Sequence, residues 1–137
     1  NFTRAEGQAV MESFLKSIDK IDVLLAENDD MALGAIDAIK AAGKVPGTDI
    51  IIVGCDSVKA AFDAIVAGDM NATIECNPLY GDAVAEVIKK LEAGETIPKG
   101  LVHPAEGVYC RDGGVAYDEA GELKSEKAAD VIADRKY

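Results

Sequence analysis

Short, nearly unbroken apolar runs alternate along this chain with longer stretches in which apolar residues recur every three or four positions. The first long stretch, residues 4–18, carries Ala9, Val10, Phe14 and Leu15 at helical spacing. Thr3 in front of it, with Glu6 three positions on, forms a capping-box pattern. Residues 21–26 then read Ile-Asp-Val-Leu-Leu-Ala, a run that suits a strand covered on both faces of a parallel sheet. Met31, Ala32, Ala35, Ile36 and Ile39 restart the helical period, and Gly43 predicts its end. After a turn at 45–48, Ile50, Ile51, Ile52 and Val53 predict a second buried strand, ended by residues 54–57. A third helix follows with Val58, Ala61, Phe62, Ile65 and Val66 inward, and Gly68 stops it. Residues 72–76 predict a third strand, broken by Asn77 and Pro78. Residues 80–93 form a fourth helical stretch with Val84, Val87, Ile88 and Leu91 on one stripe. Beyond Pro98 the pattern weakens: 101–109 suits a strand, 111–114 a turn, and Ala128, Ala129, Val131 and Ile132 a short helix.

Strands alternating with helices of this length predict an α/β fold with a parallel sheet and right-handed crossovers. The 137 residues, 49% of them hydrophobic, are enough for one domain with a core. A net charge of −11 repels phosphate backbones and anionic membranes, which argues against nucleic acid as a partner. No apolar run approaches the roughly 20 residues of a membrane span. The opening Asn1-Phe2-Thr3-Arg4 has neither an initiator Met nor a signal-type apolar segment, as expected of a piece of a longer chain. Cys55, Cys76 and Cys110 form no CxxC pair and His103 is the single histidine, so no structural zinc site is expected. Such isolated cysteines are expected to be small buried apolar residues, and an odd number leans against a strongly oxidising compartment.

In open α/β sheets, ligands bind outside the carboxyl ends of the strands. Two strand ends carry polar residues there: Asn28, Asp29 and Asp30 after the first, and Asp56 after the second. A carboxylate accepts from two hydroxyls at once and an amide both donates and accepts, which suits the vicinal hydroxyls of a sugar. Phe2, just ahead of the first helix, offers a flat apolar face to ring C–H groups. Each Asp also has a plainer reading as the cap of the next helix. A magnesium-binding acid pocket of the response-regulator kind would want a Lys at the end of a later strand, and neither 72–76 nor 102–109 supplies one. His103 has no Ser or Cys nucleophile motif, and no glycine-rich phosphate loop is present. No catalytic residues, metal or cofactor are therefore expected: binding without chemistry is the reading.

Three stretches together resemble one family. Residues 27–35, with Asn28, Asp29, Met31, Ala32, Leu33, Gly34 and Ala35, resemble the "NDxMALGA" segment of type I periplasmic binding proteins and the related sugar-responsive repressors. Residues 52–56, with Val53, Gly54 and Asp56, are similar to their "VGxD". Residues 67–74, with Gly68, Ala72, Thr73 and Ile74, resemble the "xGxxxATI" that precedes the hinge in the transport proteins. The stretch 129–137 looks like a family C-terminus, and Phe2-Thr3-Arg4 points to the ribose- and galactofuranose-binding branch.

The resemblance implies an incomplete fold: one parallel-sheet lobe of a two-lobed protein that holds a monosaccharide between its lobes and hands it to the membrane permease of an ABC transporter. Residues 1–76 would belong to the C-terminal lobe. Residues 77–102 would be a hinge crossing plus a helix packing on an N-terminal lobe outside this chain, and 103–137 a return crossing and C-terminal segment. The implied ligand set is Phe2 on the sugar ring, with Arg4, Asn28, Asp29 and Asp56 around its hydroxyls. Position 76 matches one where relatives carry an amide. Here Cys76 is a poor hydrogen-bond partner, and Glu75 beside it is the substitute to consider, although strand alternation turns it the other way. The setting would be periplasmic, or extracellular and lipid-anchored in a Gram-positive cell. A repressor's effector domain is the alternative; the uninterrupted helical stretch 58–67, with no Pro-rich connection, weighs against it. An isolated chain of this kind is expected to fold the 80–93 helix back on its own sheet, or to pair through it with another copy.

Overall fold

The computed structural model describes residues 1–97, 106–115, 124–135 and 137. The elements are α1 (Arg4–Ser17), β1 (Val23–Leu25), α2 (Asp29–Ala41), β2 (Ile51–Asp56), α3 (Lys59–Ala67), β3 (Ala72–Glu75), α4 (Gly81–Glu92), β4 (Val108–Cys110), β5 (Gly114–Val115), β6 (Lys124–Lys127) and α5 (Ala128–Val131), followed by a 3₁₀ turn (Ile132–Asp134). The sheet runs in the order β1-β2-β3-β4-β6-β5. β1, β2 and β3 are parallel neighbours, β4 is antiparallel to β3, β6 parallel to β4, and β5 antiparallel to β6. The expected parallel sheet is thus present in its first three strands and mixed beyond them. Charged Lys124–Lys127 gave no apolar signal for β6, and residues 101–105 of the expected strand at 101–109 lie outside the described residues.

Thr3 caps α1, its side-chain oxygen accepting from the Glu6 N–H at 3.4 Å. The Glu6 carboxylate accepts from the Asn1 side-chain amide at 2.8 Å. The face of α1 turned to α2 is Gly7, Met11 and Leu15; Val10 and Phe14 stay exposed beside the edge strand β1. The two helices touch backbone to backbone. A Cβ at Gly7 would lie 2.5 Å from the Met31 carbonyl oxygen, and one at Gly34 would lie 1.9 Å from that of Arg4.

The core is Met11, Leu33, Ile36, Ile39, Ile50, Ile52, Phe62, Ile65 and Met70 with the small residues between them. Burial alternates along the strands. Leu24, Ile52, Gly54, Thr73, Glu75 and Tyr109 are wholly or largely covered, whereas Val23, Leu25, Ile51 and Ile74 on the opposite face are 43–70% exposed. This corrects the expectation of two covered faces. The apolar runs are built for a layer on each side, and among the described residues only the helical layer is there. Val66, expected inward, is 52% exposed at the outer side of α3.

α4 buries none of its residues. Val84, Val87, Ile88 and Leu91 are 44–58% exposed, so the helix does not fold back on the sheet as one of the two expected routes required. Its sequence makes a strongly one-sided helix, and the face that wants cover has none within the described residues.

Candidate functional site

Because β1, β2 and β3 are parallel and adjacent, the segments leaving them arrive at one edge of the sheet: Asn28 after β1, Asp56 at the end of β2 and Cys76 directly after β3. Phe2, just ahead of α1, is joined to the same edge. The join is a hydrogen bond of 2.9 Å, Asn28 Nδ2 donating to the Phe2 carbonyl. Asn1, Phe2, Glu27, Asn28 and Met31 line an open recess of about 360 Å³ there. Phe2 is 76% exposed, a free aromatic face at its rim. Arg4 is exposed in the first turn of α1.

Asn28 is the cap of α2: its Oδ1 accepts from the Met31 N–H at 2.8 Å. The capping role considered for the neighbouring aspartates belongs to this amide, which remains half-buried at the recess.

Asp29 departs from the expected ligand set. Its side chain is fully buried, with Oδ2 accepting from the Val58 N–H at 3.0 Å and Oδ1 from the Thr73 hydroxyl at 2.7 Å. Burial pushes its pKa up to about 6, against the pull of the Thr73 and Val58 hydrogen bonds. A carboxylate closed in this way ties α2, α3 and β3 together and has no surface to offer a sugar.

Asp56 is different. β2 runs on through Gly54 and Cys55, which pair with Thr73 and Ile74, so Asp56 is the strand's last residue and not part of a loop beyond it. Its φ is 113° and that of Ser57 is 61°, both in the left-handed region that side-chain-bearing residues avoid. Such outliers persist where the surroundings impose them, often at ligand sites. The half-buried carboxylate has its pKa raised by desolvation and then by Asp30, with the backbone N–H of Asp29 acting the other way.

Cys76 is exposed, and Cys55 and Cys110 are half-buried, so the expectation of three buried thiols is corrected. β3 is too short to cover its own end, and Cys76 follows the last paired residue. Glu75 turns inward, as alternation requires, and is not a substitute for Cys76. It accepts from the Gly107 N–H at 2.9 Å, from Arg135 Nη1 at 2.9 Å, and from the Tyr109 and Tyr137 hydroxyls. Despite burial, these donors hold its pKa below the usual carboxylate value. The Arg135 guanidinium lies over the rings of Phe62, Tyr109 and Tyr137, 4.8, 5.1 and 4.4 Å from their centroids. Sequence reasoning missed this network, because the partners of Glu75 lie 32 to 62 positions further along the chain. Among the described residues no group of His, Cys, Asp and Glu is placed to hold a metal ion, and no helix is long and apolar enough to cross a membrane.

A family model described as "Periplasmic binding protein domain" matches residues 1–96. The chain belongs to this family. Among the relatives of this periplasmic binding protein domain is the galactofuranose-binding protein YtfQ of Escherichia coli, 36% identical over 82% of this chain and 36% of its own length. The ribose import binding protein RbsB of Bacillus subtilis is 34% identical over 76% of the chain and 33% of its own. A crystal structure from Mycobacterium smegmatis in complex with β-D-fucofuranose is 48% identical, with a TM-score of 0.74 over 80% of this chain and 36% of that one. The periplasmic binding protein component of a Shewanella arabinose ABC transporter, bound to α- and β-L-arabinofuranose, has a TM-score of 0.81 and 36% identity over 99% of this chain and 41% of that one. The chain thus spans about a third to two fifths of the relatives it matches, and its fold is part of a periplasmic-binding-protein lobe.

Proposed function

We propose that this chain is the C-terminal half of a solute-binding protein that captures a monosaccharide between two lobes and delivers it, unaltered, to an ABC importer. Residues 1–76 form one side of the cleft, 77–102 a crossing and a helix for the other lobe, and 103–137 the return. The carrying observation is Asp56: a half-buried carboxylate held in a strained backbone at the carboxyl end of a parallel strand, on the sheet edge to which the neighbouring strand β1 delivers Asn28.

The chemistry is recognition alone. Asp56 accepts from two neighbouring hydroxyls, Asn28 donates from its second amide hydrogen, and Phe2 packs against ring C–H groups. Arg4 stands at the rim as a further donor. The furanoses bound in two similar structures, and the galactofuranose-binding protein among the relatives, favour a five-membered sugar ring. The protein would work outside the cytoplasmic membrane, in a periplasm or tethered by a lipid, with the permease as its partner.

Calorimetry on the full-length protein with arabinofuranose-forming, galactofuranose, ribose and hexopyranose sugars tests the reading. Tight binding of one furanose supports it. A full-length protein that binds none of them and turns over a metabolite would end it.

A further inference from the structure

The turn that carries Asp56 is held by a residue far along the chain. Ser57 donates its N–H to Thr73 Oγ1 at 3.2 Å, and its carbonyl accepts from Arg135 Nη2 at 2.7 Å. Both peptide planes flanking Ser57 are therefore fixed, and the left-handed Asp56–Ser57 pair cannot relax by turning either one. The next N–H, of Val58, is held by Asp29, and that of Lys59 donates to the Tyr137 carbonyl at 2.8 Å.

Arg135 is itself immobilised. Its side chain is 9% exposed, Nη1 is bonded to Glu75, and its plane lies against three aromatic rings. One planar group thus places donors on the last residue of β3 and on the turn after β2 simultaneously. A lysine, with a single point charge and no plane to stack, lacks this geometry.

We propose that Arg135 is a positioning residue for the sugar site: by fixing the Ser57 carbonyl it sets the direction of the Asp56 carboxylate, and so the affinity, without touching the ligand. The inference rests on the reading of Asp56 as a ligand contact.

The test uses the full-length protein and the sugar that binds it most tightly. Calorimetry and thermal unfolding are run on the wild type, D56N, R135K and the double variant. R135K is expected to lose about tenfold in affinity, within the range of direct couplings between neighbouring residues, while still melting cooperatively. In the D56N background, R135K should change affinity no further, because the group it aims has already been disabled. A merely structural Arg135 would lower the melting temperature and leave affinity at the wild-type value, and that result would overturn the inference. So would additive losses in the double variant. D56N with unchanged affinity is a separate outcome that removes the site reading and this inference with it. Should R135K not fold, E75Q carries the test, since it loosens the anchor of the guanidinium and leaves the backbone contacts in place. Its affinity must fall; an unchanged value overturns the proposal.

Discussion

Gly54 stands where only a residue without a side chain leaves room for the Asp29 carboxylate: a Cβ there would lie 2.2 Å from Oδ1 and 2.6 Å from Cε of Met70. Gly54→Ala should therefore destabilise the lobe by about 1–3 kcal/mol, the usual cost of overpacking a filled core. Urea unfolding of the full-length protein reads this directly. An unshifted midpoint would mean that the carboxylate can turn aside at no cost.

Asp29 should also give the lobe a pH dependence of definite sign. Its pKa is raised from 3.8 to about 6 by burial, so the folded state binds this proton more tightly than the unfolded chain. The stability it contributes is full below the unfolded value and is lost as pH rises through about 6, an effect of roughly 2–3 kcal/mol. Glu75, with its pKa lowered by Tyr137 and Arg135 against the opposing effect of burial, acts in the other direction and loses its contribution as pH falls. In Asp29→Asn the amide still accepts from Val58 and donates to Thr73, so unfolding midpoints across the weakly acidic range should lose the Asp29 slope and keep that of Glu75. A slope unchanged by the substitution would assign it to other carboxylates.

Asp56→Ala in the full-length protein should cost on the order of 2–4 kcal/mol of sugar binding, because hydroxyls paired with the carboxylate would be buried without partners. Its melting temperature should move little, since the helix that follows it, α3, takes no side-chain cap. Unchanged affinity with a stability loss near 1 kcal/mol would make Asp56 a structural residue only.

The apolar stripe of α4 should make the isolated chain associate. Val84, Val87, Ile88 and Leu91 would each gain roughly 1.5–3 kcal/mol from full burial, and a second copy is the available cover. Light scattering should show a concentration-dependent increase in mass that V84E/L91E abolishes. A strictly monomeric wild-type chain at high concentration would contradict this.

The first three strands and four helices were readable because their signals are local: apolar runs for strands, three-to-four spacing for helices, and a glycine or a proline at the breaks. Position at the carboxyl edge was readable too for Asn28 and Asp56, which follow apolar runs directly. Asp29 differs from Asn28 by one step along the chain, and a turn of backbone sends one to the rim and the other into the core. Nothing local encodes that. Nor does anything local announce Arg135, whose partners Glu75, Ser57 and Tyr109 meet it only through the closure of the sheet. Val23, Leu25 and Ile51 read locally as residues for burial, and no described residue covers them, which no local pattern announces.

At Gly7 against Met31 and at Gly34 against Arg4, α1 and α2 approach so closely that no side chain fits between their backbones. Two helices in such contact cannot slide or roll independently without collision. The backbone of Phe2, leading into α1, and the amide of Asn28, capping α2, are therefore carried together, joined by their hydrogen bond. In the proposed two-lobed protein this side of the site would then meet each sugar as one preformed template, with any lobe motion taken up elsewhere in the chain.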